Sequence, residues 1–409
     1  MKQAGCDVAV VGAGAAGIAA AVAAAEAGLG VVLLERYGFV GGLASSAMVG
    51  TVCGLYYRSE GGPRYAVRGF ARAFAEGLAA ASETAPVAGK DGLYFLPYAV
   101  EAFHQEACAW LQRHRVQLRL HSSVAGVECH GRRIACLQVH GADGVFRLHP
   151  QVVVDCSGEA LVSRLAGAAC LPGSQPQADA FVFRVAGLPE VPESALTLVL
   201  LRALRRGVAQ GRLKPICERL SLVPGSQVRD SALLKLGLPG VGDRTRAELT
   251  ARAFCHDIVR YLRGSDVALA GLRIAAMAPQ LGVRSGPRPR GLAVLDEASV
   301  LAAAKPEDGV ACGAWPVEHW SAGRRPTMRC FAMDDHYLIP APALVSRDFD
   351  NLFFAGRGFS ATEMAMASAR VIGTCLGTGY AAGDLAAARL QRGDWRAGIE
   401  TVRRRQVVG

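Results

Sequence analysis

The sequence predicts an α/β protein in which a parallel sheet flanked by helices carries an inserted lobe of mixed strands and helices. Two observations support this prediction. An apolar strand near the N-terminus leads into a glycine-rich turn and a helix, and strand segments ending in similar turns recur far along the chain. The 409 residues, 51% apolar and 20% charged, are enough for a sizeable core and two lobes.

Composition narrows the class of protein. The net charge of +10 is scattered, and the short basic clusters at 202–206, 284–290 and 403–405 lack interleaved aromatic residues, so nucleic-acid binding is not predicted. The twelve cysteines show no CxxC spacing, and no metal site is predicted. Neither a secretory signal nor an apolar run of about 18 residues is predicted, so we expect a cytoplasmic protein without a membrane span.

The N-terminal elements follow the order of a Rossmann-type dinucleotide-binding unit. A strand is predicted at Cys6–Val11, a glycine turn at 12–17, a helix to about Ala27, and a second strand at Val31–Leu34. This second strand ends on an acidic residue, Glu35. The order strand, glycine turn, helix, strand and acid is the context in which a GxGxxG motif becomes specific for a dinucleotide.

Each glycine of the turn has a separate expected role. Gly12 permits the tight turn, Gly14 lets the backbone approach a pyrophosphate, and Gly17 allows the helix to pack closely on the strand. The phosphates would then meet the positive end of the helix. Glu35 can accept hydrogen bonds from a ribose diol and disfavours a 2′-phosphate.

The segment after Glu35 distinguishes between dinucleotides. In ERYGFVGG, at 35–42, the acid is followed by Arg36 and by the pair Gly41-Gly42, where a second backbone stretch can pass close to the pyrophosphate. Here the chain resembles the glutathione-reductase-like FAD superfamily, and specifically its FAD-dependent oxidoreductase branch. The resemblance implies FAD as cofactor. The residues implied to hold it in this region are Gly12, Gly14, Ala15, Ala16, Gly17, Glu35, Arg36, Gly41 and Gly42.

Three distant segments extend the resemblance. QLRLHSSVAGVE at 117–128 is similar to the family's strand and turn that lay backbone, here Val124, against the adenine. VVVDCSG at 152–158 resembles the strand that ends in a turn near the cofactor. NLFFAGR at 351–357 and RVIGTC at 370–375 resemble the C-terminal signature, in which a helix start faces the flavin. The resemblance thereby adds the cofactor-binding residues Asp155, Gly158, Gly356, Arg357, Arg370 and Ile372.

The middle of the chain resembles the family less. We predict an FAD-binding domain at residues 1–50, 95–170 and 345–409, and a substrate or cap domain at 51–94 and 171–344, with a helix over Arg244–Leu262. Gly286 and Pro287 interrupt a familiar loop and leave Arg284 and Arg288, which either clamp a carboxylate substrate or form ordinary ion pairs.

The function implied by the resemblance is transfer of a hydride between a small organic substrate and flavin N5. Cys53 has no cysteine four or five residues away, and no second glycine motif follows, which argues against dithiol reductases and a separate NAD(P)H domain. Glu363 is the first candidate for a general acid or base, with His319 second and His336 weaker. Alternatively, Glu363 bonds a helix end or Arg370.

Two other classes remain open at this stage. The chain could be a Rossmann-type NAD(P) enzyme, or a non-catalytic, partner-dependent flavoprotein subunit. Oxygen, a quinone, a nicotinamide or a protein could each be the electron acceptor, and a homodimer is an open oligomeric state.

Overall fold

A computed structural model of the chain describes residues 2–173, 177–240, 242–320 and 327–407. The strands in these ranges are β1 Lys2–Val11, β2 Val31–Leu34, β3 Thr51–Val52, β4 Val87–Ala88, β5 Tyr94–Pro97, β6 Gln117–Arg119, β7 Ser123–His130, β8 Arg133–Gly141, β9 Gly144–Asp155, β10 Asp179–Ala186, β11 Leu220–Leu222, β12 Ser231–Leu238, β13 Arg273–Met277, β14 Gly309–Gly313, β15 Val317–His319, β16 Thr327–Arg329, β17 Tyr337–Pro340 and β18 Leu352–Phe354. The α-helices are α1 Ala15–Glu26, α2 Leu43–Ser46, α3 Gly69–Ser82, α4 Val100–Arg113, α5 Leu161–Leu165, α6 Glu193–Ala209, α7 Arg244–Ser265, α8 Glu297–Leu301, α9 Glu363–Ala369, α10 Ile372–Arg392 and α11 Ile399–Gln406.

The largest sheet has the strand order β6-β2-β1-β9-β8-β7. Strands β6, β2, β1 and β9 are parallel, and β18 runs parallel to the C-terminal half of β9. Strands β8 and β7 continue from the N-terminal half of β9 as an antiparallel meander. The carboxyl ends of β1, β9 and β18 therefore meet at one edge, which is where open α/β sheets bind ligands.

Two helices pack unusually closely below that edge. A Cβ added at Gly379 of α10 would lie 2.1 Å from the carbonyl oxygen of Ala16 on α1, and one at Gly383 would lie 2.3 Å from that of Ala20. Only glycine permits so close a helix contact. Because of these two glycines, the starts of α1 and α10 lie side by side at the ligand edge.

A second, antiparallel sheet has the order β11-β12-β10-β13. Phe181 and Phe183 of β10 point into a core shared with α6 and α7, whereas Ala180 and Val182 point to the opposite face. This alternation is expected of a strand whose two faces meet different surroundings. The core on the helical side is formed by side chains within residues 181–281.

The structure confirms the mixed α/β class and the parallel sheet. It also confirms the strand Val31–Leu34 and the helix predicted over Arg244–Leu262, which continues to Ser265 as α7. The strand predicted to begin at Cys6 instead begins at Lys2, because residues 2–6 pair with 146–150 of β9. That partner is far away in sequence and leaves no local signal.

Parts of the ranges assigned to the cap domain pack on the main core. Phe70 of α3 stacks on Tyr380 of α10 at 5.7 Å and meets Trp110 of α4 edge-on at 4.9 Å. Strands β14 and β17 pair with each other and contribute Ala311 and Tyr337 to the same core. The predicted domain boundaries stay a prediction, and these contacts place residues 69–82, 309–313 and 337–340 against the main sheet's side of the molecule.

Candidate active site

A cavity of about 520 Å³ opens at the ligand edge of the main sheet and reaches the second sheet. Its main-sheet end is lined largely by glycine turns and helix starts, and its far end by longer side chains. The lining residues used below are Gly12, Gly14, Ala15, Ala16, Glu35, Arg36, Gly41, Gly42, Cys53, Val124, Gly158, Val182, Val223, Lys235, Arg284, Trp315, Glu318, Trp320, Gly356, Arg357, Arg370 and Ile372.

The first glycine turn connects β1 to α1. Gly12 has φ +97°, and an added Cβ would lie 2.7 Å from the carbonyl oxygen of Cys156. A Cβ on Gly17 would lie 1.8 Å from the carbonyl oxygen of Gly12, so α1 can begin here only with glycine. Gly14 differs, because an added Cβ meets only Gly42 Cα at 3.7 Å. Gly12 and Gly17 therefore serve the fold, whereas Gly14 leaves room beside the cavity.

The glycine pair after β2 lies against this turn. The amide of Gly41 donates to the carbonyl of Ala13 at 2.7 Å. Gly41 and Gly42 have φ +108° and +53°, and a Cβ on Gly42 would lie 2.8 Å from Gly14 Cα. The two backbone segments are thus in contact, and together they border a slot of the cavity that carries no side chains. Such a slot fits the pyrophosphate of a dinucleotide at the start of α1.

Glu35 is held at the end of β2. Its carboxylate accepts from the amide of Ala13 at 2.7 Å and from that of Tyr37 at 2.9 Å. Burial raises the pKa of Glu35, and the two amides oppose that rise. Each carboxylate oxygen retains a second lone pair, so the ribose contact predicted for Glu35 stays available. Arg36 is exposed, and its guanidinium carbon lies 4.8 Å from the centre of the Tyr37 ring.

The turn after β9 is shaped by Asp155. Its buried carboxylate accepts from the amides of Val162 at 2.9 Å and Ser163 at 3.2 Å, and from the Ser157 hydroxyl at 2.6 Å. Burial raises the Asp155 pKa against these hydrogen bonds. The described lining of the cavity includes residues 156–159 but not Asp155. The carboxylate thus holds the turn in place from behind.

Gly158, in that turn, has φ +72°, and an added Cβ would lie 2.7 Å from Nη2 of Arg357. Gly356, at the end of β18, has φ +68° and approaches Ala16 of α1. The predicted cofactor residues Gly158, Gly356 and Arg357 are therefore brought together, although nearly 200 residues separate them along the chain. Val124, at the start of β7, also lines the cavity.

Helix α10 begins beside the same cavity. Arg370 and Ile372 flank its N-cap residue, Val371, and both line the wall. The amide of Gly373 donates to the carbonyl of Cys53 at 2.9 Å and anchors the first turn. A 21-residue helix presents unpaired amides and a partial positive charge at its start, which suits the electron-rich side of a flavin.

The far end of the cavity carries a group of cations. Nζ of Lys235 lies 4.9 Å, and Cζ of Arg284 4.6 Å, from the centre of the Trp320 ring. Arg370 donates to the carbonyl of Glu318 at 3.2 Å and to Oε1 of Gln177 at 3.2 Å. Lys235 comes from β12, Arg284 follows β13, and Arg370 precedes α10, so three separate elements supply them.

Burial shapes the titration of this group. It lowers the pKa of Lys235, which Arg284 lowers further while Glu318 opposes the change. Burial likewise lowers the pKa of Arg284 to about 10. Burial raises the pKa of Glu318, but Arg370, the Trp315 indole N–H and the other cations outweigh it, so the pKa ends below its usual value. Glu318 is therefore an anion among cations.

The sequence profile of the family described as FAD dependent oxidoreductase matches residues 7–406. The chain belongs to this family. As an FAD dependent oxidoreductase it binds FAD, and the slot bordered by the start of α1 and by Gly41-Gly42 is the part of the structure that fits the cofactor's pyrophosphate. No curated protein matches the sequence significantly.

Three solved structures illustrate the fold that this chain shares. A geranylgeranyl bacteriochlorophyll reductase-like protein from Thermoplasma acidophilum has 12% identity and TM-score 0.50, covering 98% of this chain and 83% of that one. OxyS anhydrotetracycline hydroxylase from Streptomyces rimosus has 13% identity and TM-score 0.52, covering 97% and 65%. A triple mutant of the flavin-dependent brominase Bmp2 has 13% identity and TM-score 0.51, covering 98% and 84%. At these identities the likeness concerns the fold.

The candidate acid–base residues of this oxidoreductase lie outside the described lining of the cavity. Glu363 is buried at the start of α9, where it accepts from Ser285 Oγ at 3.0 Å and lies 4.0 Å from Nη2 of Arg288. His319 is buried on β15. His336 is buried against the edge of the Tyr57 ring at 5.6 Å.

Arg284 and Arg288, which flank the interruption by Gly286 and Pro287, have different surroundings. Arg284 lines the cavity, whereas Arg288 is buried among the carbonyls of Ala361 at 2.8 Å and Gly286 at 3.1 Å. The carboxylate clamp predicted for both would therefore involve only Arg284 at the cavity wall. Arg288 instead holds the loop against the start of α9.

Three side chains of the far end, Lys235, Glu318 and Trp320, were missed by sequence reasoning. Lys235 is the only charge in the apolar strand ALLKLGL, and a charge on a strand face that is otherwise apolar was an available signal. Glu318 and Trp320 lie in GAWPVEHW, where His319 drew the attention although strand alternation places Glu318 and His319 on opposite faces. Among the described residues, no helix is long and apolar enough to cross a membrane.

Proposed function

We propose that this oxidoreductase transfers a hydride between a small organic substrate and N5 of its FAD. The observation that supports this most is the continuity of one cavity from Gly14, beside the pyrophosphate slot, to Lys235 on the second sheet. A cofactor held at the first end would leave the second end for a substrate. The bound flavin supplies the two-electron chemistry, and the chain supplies position and electrostatics.

The residues that would hold FAD follow from their places around the cavity. The slot of Gly12, Gly14, Gly41 and Gly42 would take the pyrophosphate, and Glu35 would accept from a ribose hydroxyl. Gly158, Gly356 and Arg357 would border the middle of the cofactor, with Val124 at the adenine. Ala15, Ala16, Arg370 and Ile372 would belong to the two helix starts that face it.

The chain would protect the reacting centre from water. Val182, Val223 and Trp315 are buried residues that line the cavity's far end. Burial raises the pKa of the nearby Cys53 thiol to about 12, so this thiol stays protonated and offers no thiolate at neutral pH. Exclusion of water by such residues strengthens the electrostatic contacts made beside them.

The acid–base roles of Glu363 and His319 stay predictions. The contacts of Glu363 favour the alternative that it holds the loop of Ser285 and Arg288 at the start of α9. A proton acceptor must be within hydrogen-bond reach of its substrate, directly or through one water. Glu318 lines the cavity, but its low pKa favours service as a counter-ion.

The test has two stages on the purified holoprotein. Denaturation should release FAD and no FMN, and anaerobic photoreduction should bleach the flavin spectrum. The photoreduced protein is then mixed with oxygen, a quinone or a nicotinamide, and the oxidised protein with a panel of small organic substrates. Rapid anaerobic bleaching by a panel member supports hydride transfer. A holoprotein that neither bleaches with any substrate nor reoxidises with any acceptor would favour the non-catalytic subunit.

The remaining parts of the proposal concern the cell and the assembly. The twelve cysteines are all free, which is typical of a reducing compartment, and we propose a cytoplasmic location. A homodimer is proposed without an assigned interface, and light scattering of the holoprotein tests it.

A further inference from the structure

We propose that the far end of the cavity is a binding site for a monoanionic organic acid, whose carboxylate is received by Lys235 and Arg284 beside Trp320. This inference rests on the proposed function, because it assigns the substrate class of the same site. It starts from an imbalance of charge among the residues at the far end of the cavity.

Three cations face this end, and two carboxylates oppose them among the described residues. The cations are Lys235, Arg284 and Arg370, and the carboxylates are Glu318 and Asp179, which also accepts from the Arg284 amide at 3.3 Å. One positive charge is left over where burial already disfavours charge. An uncompensated buried cation is costly, so the site is completed by one negative charge from outside.

The hydrogen-bonding capacity of the cations is also incomplete. The Lys235 ammonium forms no hydrogen bond or ion pair with another described residue, and it lies against the Trp320 ring. Nε of Arg370 is buried and has no partner among the described residues. An ammonium has three donors and a guanidinium five, and donors left unused at the wall of a cavity are available to a ligand.

The shape of the lining indicates what carries the charge. Trp315, Val182 and Val223 supply apolar surface beside the cations. A ligand that fits has an apolar body and one charged end, in the pattern of small-molecule sites with few polar anchors. A phosphate or phosphonate would bring close to two charges and overcompensate the surplus, so a carboxylate is favoured.

The strand position of Lys235 and a hydrogen bond of Arg284 direct the two cations toward the cavity. Lys235 is paired with Val182 across β12 and β10, with Leu234 and Leu236 on the opposite, helical face. The strand period therefore fixes the ammonium on the cavity side. Arg284 is fixed by donation to the carbonyl of Ala178. The two anchored cations therefore form a binding site that is preorganised before an acid binds.

The experiment is calorimetric titration of the oxidised holoprotein with three probes that share one apolar body: 3-phenylpropanoate, 3-phenylpropanamide and 2-phenylethylphosphonate. We expect the acid to bind at least tenfold more tightly than the amide and more tightly than the phosphonate. Lys235→Met and Arg284→Met should each weaken acid binding by about 10- to 100-fold and leave the amide unchanged. FAD content of both variants should match the parent.

The matched controls are Lys214→Met and Arg260→Met, which remove exposed cations from the same lobe and should change nothing. Equal affinity for acid and amide, or an acid affinity unaffected by Lys235→Met, would overturn the proposal. Loss of FAD from Lys235→Met or Arg284→Met would do so too, because the cations would then serve the cofactor. Selective acid binding to a holoprotein whose oxidised flavin no carboxylic acid reduces, and whose reduced flavin none reoxidises, would support this site and contradict hydride transfer instead.

Discussion

The two ends of the cavity recognise their ligands by different means. At the main-sheet end the wall is backbone, and glycines such as Gly12, Gly41 and Gly42 allow it to come close. At the far end the wall is side chain, with Lys235, Arg284 and Trp320 contributed by separate elements. A backbone wall depends on local turns, whereas a side-chain wall depends on tertiary packing. The substitutions below test this contrast, in order of expected effect.

The largest effect is expected for Gly17→Ala. The added methyl would lie 1.8 Å from the carbonyl oxygen of Gly12, and neither α1 nor the turn can shift without breaking the α1–α10 contact. We expect little or no folded protein, measured by circular dichroism and by yield in the presence of excess FAD. A folded variant that retains FAD would show that the turn can rearrange to accommodate the methyl group, which would contradict a rigid backbone wall.

Gly14→Val should separate cofactor binding from folding. Its new side chain meets only Gly42 Cα, at 3.7 Å for Cβ, but it occupies the slot for the pyrophosphate. We expect a folded protein that has lost FAD. The flavin-to-protein absorbance ratio measures this, and Gly264→Val, where nothing lies within 4 Å of the new Cβ, is the control. Stoichiometric flavin in Gly14→Val would show that the pyrophosphate binds elsewhere.

This contrast explains what could be predicted from the sequence. The turns around Gly12 and Gly41 are contiguous motifs whose residue types follow from local geometry, and so is the βαβ order that contains them. Lys235 of β12 meets Glu318 of β15 and Trp320, which follows β15, only through tertiary folding. No spacing in the sequence encodes that approach.

Asp155 and Glu363 illustrate the same limit in another way. Both are acids beside recognised motifs, and both were candidates for direct roles. In the structure their carboxylates accept hydrogen bonds from the Val162 amide and the Ser285 hydroxyl, respectively. A motif places a residue near a ligand, but the direction of its side chain depends on neighbours that pack against it.

A pH titration should sharpen the description of the far end. Because Lys235 receives the acid as an ammonium, binding of 3-phenylpropanoate should be full below the lowered pKa of Lys235 and weaken about tenfold per pH unit above it. Of the other groups facing it, Cys53 and Glu318 stay in one state there, burial lowers the pKa of Arg370, and Arg284 adds a loss near pH 10.

The matched variant for that titration is Lys235→Arg, whose guanidinium loses its proton at a higher pH than the ammonium it replaces. Its affinity should stay flat until Arg284 begins to lose its proton. Calorimetry of parent and variant between pH 6 and 10 measures the difference. Identical profiles would remove Lys235 from the acid's binding site.

The smallest effect on chemistry is expected for Glu363→Gln. If Glu363 only holds Ser285 and Arg288, the free energy of unfolding should fall by about 1–3 kcal/mol, while flavin reduction slows less than about tenfold. Rapid mixing with a reducing substrate and melting curves with and without added FAD separate the two effects. A rate lowered by about 10²–10⁴ at unchanged stability would instead make Glu363 the general acid or base.

The contact between α1 and α10 limits which parts of the enzyme can move during turnover. Helices that touch backbone to backbone at Gly379 and Gly383 have little room to slide or tilt independently, so we expect their starts to keep the same separation during turnover. The cofactor would therefore bind against two helix starts that do not move relative to each other. We expect the admission of substrate and the release of product to depend on side chains of the opposite wall other than the anchored Lys235 and Arg284, because such side chains can rotate without breaking a strand.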